Sequence, residues 1–149
     1  MQWGYRGGQA VFWKPTLTPG IIRASYLPFS PMRPFERRGM VEVDLKFGAH
    51  KVCVVATQIG TERDRRVREW RYVRSALRQT AGSSLVFAAV PASRIGLTDL
   101  GFIRVGCRGV DDESIFARGF EIEEAADDAA AHRGIGRAIL ARLRATETV

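Results

Sequence analysis

Two short stretches limit what this chain can fold into. KVCVVAT (51–57) and SLVFAAV (84–90) are apolar at almost every position. A strand presents alternate residues to opposite faces, so each of these needs cover on both sides. Between them lies 62–79, in which Val67, Trp70, Val73 and Leu77 fall on one helical stripe that can face a core. Thr61 stands in N-cap position with Asp64 three residues on, the spacing of a capping box. The expected fold is α/β (α+β): a mixed, mainly antiparallel sheet with this helix covering one face.

The rest of the chain reads around that centre. GQAVFW (8–13) has the composition of a strand. Residues 14–38 hold five of the six prolines, which excludes helix and central strand, although GIIRASYL (20–27) could pair at an edge. GMVEVDLKF (39–47) alternates Met40, Glu42, Asp44 and Lys46 with Val41, Val43, Leu45 and Phe47, the period of a half-buried strand. A turn at Gly48-Ala49-His50 makes it a hairpin with 51–57. LTDLGF (97–102) is a short helical turn. SIFARGFEIEE (114–124) reads as two strand halves around Arg118-Gly119. AILARLRA (138–145) fits either a strand or a helix. No internal repeat is visible, and 149 residues fit one domain, 1–149.

Charge is unevenly placed. The net charge is +7, with the basic excess before residue 110 and an acidic excess after it. The densest basic run holds Arg63, Arg65, Arg66, Arg68, Arg71, Arg74 and Arg78. Its helix also carries Glu62, Asp64 and Glu69, as a solvated amphipathic helix would, so nucleic-acid binding is expected to be weak and non-specific at most. Cys53 and Cys107 sit in apolar runs as buried thiols of a reducing compartment would. There is no CxxC and no Cys/His cluster, which excludes a zinc site of the usual spacing. Without a signal-peptide pattern or a long apolar run, a cytoplasmic protein with no membrane contact is expected.

The order of these elements and several segments resemble the endonuclease/exonuclease/phosphatase superfamily, the deoxyribonuclease-I-like fold. GQAVFW resembles its GNALLS-type strand and RPFERRGMVEVDL its EPRGALEVEL segment. VCVVATQIGTERDRRVREWRYVRSAL resembles its VVNTHLG run into a helix. SSLVFAAVPAS lies where LLLGDFNAS-type sequences lie, and GRAILARLR resembles its DHRPVLARLR ending. The resemblance covers the C-terminal half to two-thirds of the fold, a partial sandwich. It implies a metal-dependent phosphoesterase, with Mg²⁺ held by hard carboxylate oxygens, His and Asn on the phosphate, and a His–Asp pair activating water.

The chemical positions of that pattern are altered here. Gln58 stands for the His of Thr-His-Leu. Ala89 stands for the Asp and Pro91 for the Asn of Gly-Asp-Phe-Asn. Ser114 follows Glu113 where an Asp-His or Asp-Tyr pair is common, and Gly136 falls within the lost Ser-Asp-His. Asp111, Asp112 and Glu113 remain as weak metal-ligand candidates. The resemblance therefore implies a degenerate member, non-catalytic and retained for binding, with no intact catalytic residue and no cofactor, or Mg²⁺ if activity persists. The alternatives are an active Mg²⁺-dependent nuclease or phosphatase with rearranged ligands, and a non-specific nucleic-acid-binding module.

A rival motif is weaker. His132-Arg133-Gly134-Ile135-Gly136-Arg137-Ala138 resembles an acyl-CoA loop of N-acetyltransferases, but Ala131 occupies its Arg/Gln position and no apolar strand precedes it. His50 and His132 have no partner in sequence and read as surface residues, and Trp3, Trp13 and Trp70 as core or interface. Because the helix can cover one face only, the chain is expected to form a homo-oligomer or to bind a chain supplying the missing half-domain.

Overall fold

A computed structural model of the chain describes residues 10–28, 38–60, 62–80, 84–90, 97–107, 114–128 and 138–146. The elements are β1 (Thr18–Tyr26), β2 (Gly39–Phe47), β3 (His50–Gln58), α1 (Arg63–Gln79), β4 (Ser84–Val90), β5 (Ile103–Cys107), β6 (Ser114–Arg118), β7 (Phe120–Asp128) and β8 (Ala138–Ala145). A 3₁₀ turn, Thr98–Leu100, precedes β5. Six strands form one sheet in the order β1-β2-β3-β4-β6-β5, and β7 and β8 form a separate antiparallel pair. All pairings are antiparallel except β3–β4, which the α1 connection makes parallel. The mixed, mainly antiparallel sheet with its helix is the expected architecture.

The two all-apolar stretches are neighbours at the centre of the sheet. Val55, Phe87 and Phe116 lie in register on β3, β4 and β6 and are almost fully buried with Val73 and Leu77 of α1. Phe87 stacks on Phe116 at 6.0 Å between centroids and meets Trp70 at 6.3 Å, distances at which aromatic pairs attract beyond area burial. The β2–β3 turn uses Gly48 at φ 59°, a conformation without steric cost for glycine.

The opposite face of the sheet is apolar from edge to edge. One register row runs Ile22, Val43, Val54, Val86, Ala117, Ile103 across all six strands. The next passes through Ala24, Val41, Ala56 and Ile115. Val43 and Ala117 are buried, Val54 and Val86 half-buried, and Ile22 and Ile103 exposed at 56% and 42%.

Several expectations change. Residues 10–13 form no strand, and residues 8 and 9 of that segment lie outside the described residues. The edge pairing of 20–27 is real, as β1. Thr61 lies outside the described residues; Glu62 is the N-cap and makes no side-chain capping bond. The α1 stripe is also turned. Val67 is 43% exposed, whereas Arg65 and Glu69 are buried with Val73 and Leu77. Tertiary hydrogen bonding selects that face. Arg65 Nε donates to Glu69 Oε1 at 2.7 Å, and the Gly60 N–H donates to Glu69 Oε2 at 2.6 Å. AILARLRA resolves as a strand, β8.

Ion pairs and caps join the elements. Arg74 pairs with Asp99 of the 3₁₀ turn. Arg118 donates to the carbonyl of Thr80 at the end of α1 (2.8 Å) and to that of Leu100, and its guanidinium lies over the Phe102 ring. Such bonds answer the open carbonyls of a helix C-terminus. No helix among the described residues is long and apolar enough to cross a membrane.

Replacing Glu69 with alanine leaves Arg65 as an uncompensated buried charge and the Gly60 N–H without its acceptor. The expected cost is about 3–5 kcal/mol, the usual loss when a buried pair is broken. A urea unfolding midpoint within error of the parent would refute this role for Glu69.

Candidate functional site

Ala89 and Ser114 are neighbours in the sheet register, and Gln58 ends β3 beside them but on the opposite face of the sheet. Thr57 pairs with Ala89 and Gln58 with Val90 at the C-terminal ends of β3 and β4, and Ala89 pairs with Ser114 at the start of β6. Pro91, Gly136, Asp111, Asp112 and Glu113 lie outside the described residues.

The loop that leaves this end is held from three sides. Thr57 Oγ1 donates to the Gly39 carbonyl at 2.9 Å, and Arg38 donates to the Ile59 carbonyl at 2.7 Å. Ile59 is fully buried, and Glu69 accepts the Gly60 N–H from below. A Cβ at residue 60 would lie 2.9 Å from Arg65 Cδ, so the close approach of α1 to this loop requires glycine. These positioning residues were not singled out from the sequence. The signal available there was Arg65 and Glu69 four apart on a helix that begins just after a glycine.

What the described side chains at these strand ends offer is an amide on one face, from Gln58, and a hydroxyl on the other, from Ser114. Gln58 is exposed, whereas Ser114 is 1% exposed and its Oγ finds no hydrogen-bond partner among the described residues. A buried hydroxyl without a partner is uncommon and costs stability. Its register neighbour on β4 is Ala89, the position where the resemblance places a carboxylate. None of the three residues supplies a carboxylate or imidazole. As a set they do not fit Mg²⁺, which requires hard anionic oxygen donors.

A second group lies elsewhere. Glu42, Asp44 and Cys53 place their ligand atoms within 4.8 Å of one another on the helix-side face of β2 and β3. Glu42 is bonded to Arg23, and Asp44 to Lys51 at 3.0 Å. Burial first, then the negative charges of Glu42 and Asp44 and a hydrogen bond to Asp44, push the Cys53 thiol from 9.0 up to about 12, against a smaller opposing effect of Lys51. The thiol therefore stays protonated at neutral pH, a poor state for metal binding or nucleophilic attack. Its raised value stabilises the fold below pH 9, and this contribution fades as pH rises through the folded value. Cys53 is four residues before Thr57, about 13 Å along the strand, so this group is separate from the converging end. Cys53 is buried as expected, and the Cys107 side chain lies outside the described residues.

Solved structures share this fold. An endonuclease/exonuclease/phosphatase protein of Beutenbergia cavernae superposes with a TM-score of 0.65 at 12% identity, covering 85% of this chain and 45% of that one. The chain has the fold of endonuclease/exonuclease/phosphatase proteins. A mannosyl-6-phosphatase of Bacteroides thetaiotaomicron superposes at TM-score 0.64 and 10% identity, over 85% of this chain and 62% of that one. A humanized D. rerio TDP2 does so at 0.62 and 12%, over 87% and 66%. The chain thus spans two-thirds or less of the length of these three structures. No family model matches the sequence, and no curated protein does.

Because the buried Ser114 hydroxyl has no partner among the described residues, Ser114→Ala should stabilise the protein. A gain of about 1 kcal/mol is expected from removing an unsatisfied buried hydroxyl. Thermal or urea unfolding checks this, and a loss of stability would show that Ser114 has a partner.

Proposed function

We propose that the chain is a degenerate member of the metal-dependent phosphoesterase family, non-catalytic and retained for binding. The observation that carries this reading is the composition of the converging strand ends. Ala89 and Ser114 pair at one end of the sheet and Gln58 ends β3 beside them on the other face, and these residues offer no general base and no anionic ligand. Hydrolysis of a phosphoester needs a metal or cationic clamp on the developing charge and a group that titrates near neutral pH. Glu69, which holds the loop leaving β3, has both oxygens engaged by Arg65 and Gly60.

The arginine helix supports weak binding at most. Arg65 is withdrawn into its bond with Glu69, and Arg74 pairs with Asp99. Arg68, Arg71 and Arg78 remain on the exposed face. Duplex DNA should bind at or above ~10⁻⁶ M at ~0.15 M salt, the range of non-specific contact. Submicromolar binding lost on replacing these three arginines would favour a nucleic-acid module instead.

The deciding experiment is a hydrolysis assay with Mg²⁺ or Mn²⁺. p-Nitrophenyl phosphate, its bis ester, mannose 6-phosphate and a single-stranded DNA oligonucleotide cover the chemistry of the structural neighbours. No turnover is expected. None is expected from Gln58→His or Ala89→Asp either, because catalytic groups act as a unit and single restorations do not add. Metal-dependent turnover that survives repurification and is lost in Asp112→Ala or Glu113→Ala would establish the rearranged-ligand enzyme.

A further inference from the structure

We draw no further inference here: the strongest candidate, the exposed apolar patch of Ile21, Ile22 and Tyr26 on the β1 edge of the six-stranded sheet, carries nothing because nothing in the structure shows what covers it.

Discussion

Everything in this fold follows from the need to cover β3 and β4 on both sides. Their side chains are apolar in both directions, so neither can lie at an edge without exposing a row of valines. The chain meets the requirement on one face with α1, which joins the two strands and lays Val73 and Leu77 over Val55, Phe87 and Phe116. The β2 and β6 strands take the flanking positions, and β1 and β5 become the edges. Arg118 then closes the helix C-terminus and Arg74 fixes the 3₁₀ turn against the helix.

The same packing brings the candidate site together and limits it. Because β3 and β4 run parallel, their C-terminal ends lie side by side, and β6 starts beside them. In α/β arrangements this end is where ligands commonly bind. Here the scaffold of such a site is well fixed, with Arg38, Thr57 and Glu69 holding the backbone of the loop. The groups it presents are nonetheless chemically mild. Ser114 is buried beside an alanine position, and its hydroxyl has no hydrogen-bond partner among the described residues.

Charge on α1 illustrates how a composition signal divides in three dimensions. Seven arginines in one run form the densest basic stretch of the sequence, interspersed with Asp64 and Glu69. The fold spends Arg65 on a buried bond to Glu69 and Arg74 on Asp99, leaving a narrower exposed ridge. The β2 strand shows a similar division. Its alternation marks a strand, but Asp44 is buried and paired with Lys51, while Val43 is buried on the other face. Both faces of β2 are therefore inside, which a polar/apolar alternation does not announce.

Local pattern was sufficient for the order and type of most elements. The period-2 alternation of 39–47, the apolar runs at 51–57 and 84–90 and the split at Gly119 are properties of neighbouring residues, and they survive folding unchanged. The residues at the candidate positions were also legible, because residue identity at Gln58, Ala89 and Ser114 needs no coordinates. Tertiary structure alone decided the rest. The face α1 buries depended on a partner for Glu69 in the β3–α1 loop, which moved Val67 into solvent. The choice of strand for 138–145 came from pairing with β7, since its own period fits either state. The meeting of Ala89 with Ser114, and the apolar row from Ile22 to Ile103, join residues far apart in sequence. Hydrogen-bond register between strands creates those neighbours, and no local propensity encodes it.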